Sequence, residues 1–181
     1  MARLYLIRHG EAAAAWGDHD DPGLSPLGLK QASDAAMKLG VLKPVRAITS
    51  PLLRCRETAA AFEMECGLAA TVEPNVSEIP TPRDVEDRSA WLRAAMGGRW
   101  SDLASHAPWR DTLVATLKAQ QEDTAIFTHF VAINVAVGAC RGEDAVTLFT
   151  PANCSITVID TDGEELQLIA QGAIAPAVQV L

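Results

Sequence analysis

The stretch Leu6-Ile7-Arg8-His9-Gly10-Glu11 ends an apolar run on a guanidinium, an imidazole and a glycine. An imidazole can attack phosphorus or carry a proton, and an arginine presents a fork of N–H donors that fits phosphate or carboxylate. Three further residues could join that chemistry: Arg54, Glu78 and His129. Each lies at or just beyond the end of a segment that reads as a strand. Those segments are Leu4 to Ile7, VRAITS (45–50), ATVEP (70–74) and TAIFTH (124–129). In an open α/β sheet, ligands bind beyond the carboxyl ends of the strands. Four strand ends therefore deliver Arg-His, Arg, Glu and His to one edge.

Blander accounts have to be weighed. An isolated histidine is usually a surface or satisfied core residue, and His19 and His106 read that way. An arginine in a helix's first turn opposes the macrodipole, so Arg54 is poorly explained as a solubilising charge. An Arg-His-Gly tripeptide arises by chance in roughly two of a hundred chains of this length at average usage. Alone it is suggestive; with Arg54, Glu78 and His129 at strand ends, coincidence is the weaker account. GLSPLGLK, Gly23 to Lys30, nearly spells a P-loop, but Leu29 breaks the Gly-Lys pair and no Ser or Thr follows Lys30. The acidic Asp18-His19-Asp20-Asp21 lacks calcium-loop spacing and reads as solvated.

The elements that carry these residues follow from local signals. Ser25 reads as an N-cap, Pro26 as the first helical residue and Gly40 as the stop. A second helix is expected with Ser50 as cap, Pro51 at its first position and Gly67 as stop. PTPRDVEDRSAWLRAAMGG (80–98) reads as a helix with an acidic first turn. Helices are also expected from about Trp109 to Gln120 and over FVAINVAVGAC (130–140), and CSITVID-TDG-EELQLIA reads as a hairpin with Asp162-Gly163 in its turn. Alternating strands and helices specify a three-layer α/β/α sandwich: a mostly parallel mixed sheet with an antiparallel C-terminal hairpin.

The totals narrow the function. The chain has 181 residues, 49% hydrophobic and 21% charged, which suits one soluble domain over 1–181. A net charge of -8 argues against nucleic acid or an anionic membrane as partner. The longest apolar candidate, around 125–140, is interrupted by His129 and Asn134. No leader pattern opens the sequence, and four unpaired cysteines suit a reducing compartment, so a cytoplasmic location is expected. None of the cysteines heads a Cys-x5-Arg loop, which excludes cysteine-phosphatase chemistry.

The motifs LIRHGE, LSPLGLKQA, ITSPLLRCRETA, SEI and FTHF, in this order and over nearly the whole chain, resemble the histidine phosphatase superfamily with its phosphoglycerate mutase-like fold. That resemblance implies His9 as nucleophile, Arg8, Arg54 and His129 as phosphate ligands, and Glu78 as proton donor. It implies that the Ser25 loop lines the substrate pocket. Trp16 and Phe130 are expected there as well, Phe130 standing where many members have Gly and narrowing the pocket. The backbone carbonyl of Gly10 would fix the His9 tautomer. Residues 80–110, with Arg83, Arg88, Arg93, Arg99 and three tryptophans, occupy the place of the family's helical specificity insert. The expected activity is a metal- and cofactor-independent phosphatase working through phospho-His9. Its substrate would be a small phosphorylated compound or a phosphoprotein, and its product inorganic phosphate. The rivals are a protein phosphohistidine phosphatase, a phosphoglycerate mutase-type phosphotransferase and a non-catalytic phospholigand-binding module. The mutases' Trp-Asn pair and Glu-Arg-x-Tyr-Gly stretch are missing, which disfavours the glycolytic branch.

Overall fold

A computed structural model describes residues 1–14 and 20–176. Six strands form one sheet: β1 (Ala2–Arg8), β2 (Arg46–Thr49), β3 (Thr71–Val72), β4 (Thr124–Thr128), β5 (Ile156–Thr161) and β6 (Leu166–Ala170). Their order across the sheet is β3-β2-β4-β1-β5-β6. The first four run parallel, while β5 is antiparallel to both β1 and β6. Five helices accompany them: α1 (Pro26–Leu42), α2 (Leu53–Cys66), α3 (Arg88–Met96), α4 (Ala107–Lys118) and α5 (Phe130–Arg141).

The period of two along each strand sorts the core into two layers. Leu4, Leu6, Ile48 and Ile126 point to one face and pack on Leu113 and Leu117 of α4 and the apolar side of α5. Tyr5, Ile7, Ala47, Ala125 and Phe127 point to the other face, against Ala36 and Leu39 of α1 and Ala59 and Phe62 of α2. β4 is buried along its whole length, as a central parallel strand covered on both faces must be. The chain is thus the expected α/β/α sandwich with an antiparallel hairpin end.

Several local expectations need correction. α1 runs through Gly40 and ends at Lys43, whose left-handed backbone (φ 54) donates its N–H to Leu39 O. Gly40 has no positive φ, so it has no terminating role. α2 begins at Leu53, two residues later than expected, with Leu52 at the cap position. The Ser50 N–H is taken by Phe127 O (3.0 Å), which extends the sheet instead of opening the helix. α3 is shorter than its sequence suggests: Asp87 caps it through Ala90 N (2.8 Å), and Asp84 and Glu86 precede it. In the hairpin, Asp162 Oδ1 accepts from the N–H groups of Glu164 and Glu165 (both 2.9 Å), so the loop is four residues wide.

Candidate active site

Three strand ends lie level. Thr49 pairs with Phe127, and Phe127 with Ile7. The next residues continue the ladder: Ser50 N–H donates to Phe127 O, and His9 N–H donates to Thr128 O (3.0 Å each). His9 and His129 therefore leave adjacent strands side by side, with ring centroids 5.3 Å apart in a T-shaped arrangement.

His9 is fixed by the loop that follows it. Its Nδ1–H donates to Gly10 O at 2.7 Å, because a carbonyl can only accept. The lone pair therefore sits on Nε2, where Arg54 Nε–H approaches at 3.3 Å. Arg54 Nη2 reaches His129 Nδ1 (3.4 Å), and Arg54 Nη1 lies 4.0 Å from Asp21 Oδ1. One guanidinium at the start of α2 thus spans both histidines. Burial holds His9 well below its ordinary imidazole range, and the cations Arg54 and Arg8 push the same way. Burial also depresses His129, followed by Arg54, His9 and Arg8. Both rings are thereby held neutral near neutral pH. For both rings the neighbouring cations come second to desolvation.

Arg8 donates from Nη1 to Pro151 O (2.7 Å) and stacks over the Phe130 ring, 5.3 Å from its centroid. Its Nε is buried without a partner. Glu78 arrives on a stretch pinned at both sides. Thr128 Oγ1 donates to Val76 O (2.6 Å), and the His106 ring donates from Nε2 to Pro80 O (2.8 Å). His106 also stacks on Trp91, so it is a satisfied core histidine, as expected. The Glu78 carboxylate accepts from Ile79 N (3.0 Å) and Val131 N (3.3 Å), the latter in the first turn of α5. Burial raises its pKa, while those two N–H groups, Arg54 and Arg8 pull it back.

The structure therefore gathers Arg8, His9, Arg54, Glu78, His129 and Phe130. Ser25 is nearby, but both roles of its hydroxyl are taken: it accepts from Gly28 N (3.0 Å) as the α1 cap and donates to Glu11 Oε1 (2.7 Å). Ser25 thus fastens the loop that follows His9 to the start of α1. Trp16 and His19 lie outside the described residues. Arg88 pairs out of its own segment, with Asp20 (3.5 Å).

Sequence reasoning missed several supports. Thr58 Oγ1 accepts Gly10 N–H (3.0 Å) and donates to Arg54 O (2.7 Å), tying the loop after His9 to the first turn of α2. Its position four residues after Arg54, on the same helix face, was the available signal. Asn153 Nδ2 donates to His9 O (3.0 Å), from a loop that nothing in the sequence marks. Asp21, read as solvated, accepts Leu53 N–H at the start of α2 (2.9 Å). Ser50, read as a cap, contacts His129 instead (2.8 Å). Gly10 has no positive φ; what it needs is space, since a Cβ there would lie 2.6 Å from Gly28 O.

Two neutral imidazoles, two guanidiniums and a carboxylate around one strand edge form a centre for holding and transferring a phosphoryl group. A family model described as the histidine phosphatase superfamily (branch 1) matches residues 4–173, and the chain belongs to that superfamily. Members of this class act through a phosphohistidine and include both phosphatases and mutases. A probable phosphoglycerate mutase of Erwinia tasmaniensis is 27% identical over 185 residues, covering 88% of this chain and 85% of its own. Among solved structures, a mycobacterial glucosyl-3-phosphoglycerate phosphatase complexed with VO3 superposes with a TM-score of 0.74 at 21% identity, covering 96% of this chain and 100% of that one. A phosphoserine phosphatase from Entamoeba histolytica, complexed with 3-phosphoglyceric acid, superposes at 0.73 with 19% identity, covering 96% and 98%. Among the described residues, no helix is long and apolar enough to cross a membrane.

Proposed function

We propose that this chain is a metal-independent phosphatase that hydrolyses a phosphomonoester through phospho-His9. The observation that carries the reading is the His9 tautomer: Nδ1–H on Gly10 O leaves the Nε2 lone pair facing Arg54. Arg54 Nε–H covers that lone pair. An arriving phosphate offers the guanidinium a doubly charged acceptor, so Arg54 moves onto a phosphate oxygen and uncovers Nε2. Arg8 and His129 hold the other oxygens, and the three together stabilise charge on the equatorial oxygens of the transition state. Phe130 braces Arg8 and narrows the phosphate end.

In the first step the Nε2–P bond forms as the P–O bond to the leaving group breaks, and Glu78 gives the leaving oxygen its proton. In the second step water attacks phosphorus and the N–P bond breaks. Glu78 takes the water's proton, and inorganic phosphate leaves. Burial keeps Glu78 within reach of the protonated state this needs.

The names of the curated relatives favour a second reading, phosphoryl transfer between phosphoglycerates. One preparation tests both. A phosphoenzyme quenched without acid should be acid-labile and base-stable, vanish in His9→Ala, and form at full rate in EDTA. Chased with water it should release inorganic phosphate; transfer instead to added phosphoglycerate would establish the mutase. A phosphoenzyme that persists in His9→Ala would overturn both readings.

A further inference from the structure

Three side chains meet the nitrogens of the His129 ring, and they do not treat them alike. Arg54 Nη2 is a donor only, so Nδ1, 3.4 Å away, must accept from it. The single proton of the neutral ring is then on Nε2. Ser50 Oγ lies 2.8 Å from Nε2, the shortest side-chain contact the ring makes. The Cys55 sulfur is 3.3 Å from Nε2, but a thiol sulfur is a weak acceptor, and its own S–H is directed to Thr128 O (3.4 Å). Ser50 can therefore receive the Nε2 proton. Its hydrogen-bond surroundings agree: Leu52 N–H donates to it (3.3 Å), and Ser77 Oγ, 3.3 Å away, is placed to take its hydroxyl proton. Ser50 is fully buried and Ser77 is partly exposed, so the chain of hydroxyls runs from the ring outward.

From this arrangement we infer that Ser50 is a positioning residue: it sets which nitrogen of His129 carries the proton and remains the acceptor when the ring becomes an imidazolium over bound phosphate. The second half rests on the phosphatase reading above. The charged and titratable groups around His129 are Arg54 and Cys55 from α2 and Arg8 and His9 from the end of β1; Glu78, from the stretch after β3, holds Val131 N two residues further along α5. When an anion draws Arg54 away, the Nδ1 lone pair would face a phosphate oxygen, and two acceptors cannot share a proton that neither holds. The ring must take one up at Nδ1. Nε2–H then becomes a charged donor, and Ser50 Oγ is already in place to receive it. Without that hydroxyl the imidazolium would keep a buried, unpaired N–H.

The test uses the full chain labelled with 15N in its histidine rings, with inorganic phosphate as probe. In the ligand-free wild type, His129 should show a pyridine-like Nδ1 and a protonated, pyrrole-like Nε2; phosphate near neutral pH should make both nitrogens pyrrole-like. Calorimetric titrations should show Ser50→Ala binding phosphate roughly 10–100-fold more weakly. The pH above which affinity falls should move about one to two units toward acid. Ser50→Thr should keep most of the affinity, and Ser77→Ala should lose only a few-fold, about what one neutral hydrogen bond supplies. A proton on Nδ1 in the ligand-free wild type overturns the inference whatever the variants do. So does a Ser50→Ala protein whose phosphate affinity and pH dependence match wild type. Failure of the wild type to bind phosphate at all, with the expected tautomer present, instead overturns the phosphatase reading.

Discussion

Gly28→Ala and Gly40→Ala place the same methyl group on the same helix, and the structure gives them opposite signs. At Gly40 the nearest atom to the new carbon is the Cys66 sulfur at 3.6 Å, an ordinary contact. Glycine in a helix interior costs roughly 0.5–1 kcal/mol relative to alanine, so Gly40→Ala should stabilise by about that much. At Gly28 the new carbon falls well inside contact distance of Glu11 O, and the facing Gly10 is packed so tightly that a Cβ on it would lie 2.6 Å from Gly28 O. An unstrained C···O contact is about 3.3 Å or longer, so the two backbones must part by roughly 1 Å. Neither partner is a side chain that can rotate away. Overpacking of this kind costs about 1–3 kcal/mol. The displaced segment also carries Gly10 O, the acceptor that fixes His9 Nδ1 at 2.7 Å. A misplacement near 1 Å at a reacting centre costs on the order of 10²-fold in rate. Urea denaturation and p-nitrophenyl phosphate turnover read both effects. Gly28→Ala should lower the midpoint and lose about 100-fold in turnover, while Gly40→Ala should raise the midpoint with turnover unchanged. If Gly28→Ala is as stable and as active as wild type, the close contact does not hold the nucleophile.

Three further outcomes follow from the site's charges. Glu78→Gln should slow the phosphorylation step for alkyl phosphates by ~10²–10⁴-fold and far less for p-nitrophenyl phosphate, whose leaving group needs little protonation; equal losses in single-turnover measurements would remove Glu78 as the acid. His9 and His129 are held below their unfolded values, so the stability they contribute is complete above about pH 6.5 and is lost as pH falls from there toward their native values, by up to about 1.4 kcal/mol per pH unit for each ring. Glu78, raised by burial, opposes this: its contribution is complete below about pH 4.3 and is lost as pH rises through its native value. Denaturant midpoints between pH 5 and 7 should therefore rise with pH in Glu78→Gln, and adding His129→Asn should roughly halve the slope; an unchanged slope would mean His129 is not held neutral by the fold. Vanadate or phosphate binding near neutral pH should take up a proton, measured calorimetrically in buffers of different ionisation enthalpy, and should not do so in His129→Asn.

The sandwich was legible because its signals are local and repetitive. Alternating strand residues split into two faces, and strand-end chemistry falls on one edge by topology alone. The misplaced features share a physical cause. Ser50-Pro51 has the composition of a helix start, but the sheet ladder claims the Ser50 N–H and the His129 ring claims its hydroxyl, so tertiary partners outbid the local cap. Lys43 ends α1 in a left-handed conformation that composition assigns to glycine. Asn153 holds the His9 carbonyl from 144 residues away in sequence, and no spacing rule reaches that far. His9, Arg8, Arg54, Glu78 and His129 could be picked out because unusual charge at a strand end is visible in one dimension. The hydroxyls and backbone groups that orient them are common residues in common places.

The level ends of β2, β4 and β1 give the phosphate centre a built-in ruler. Adjacent strands repeat about every 4.8 Å, and the two histidine rings stand 5.3 Å apart because they follow paired residues on neighbouring strands. Their spacing is thus a lattice constant of the sheet rather than a product of side-chain packing. Lengthening or reshaping residues 80–110, or the loop around Asp20 and Asp21, changes which molecules reach the edge without altering how far apart the rings stand. A single residue inserted in β1 or β4 does the reverse. It shifts one histidine by about 3.3 Å and turns it to the opposite face, leaving every loop intact around a centre that can no longer close on phosphorus.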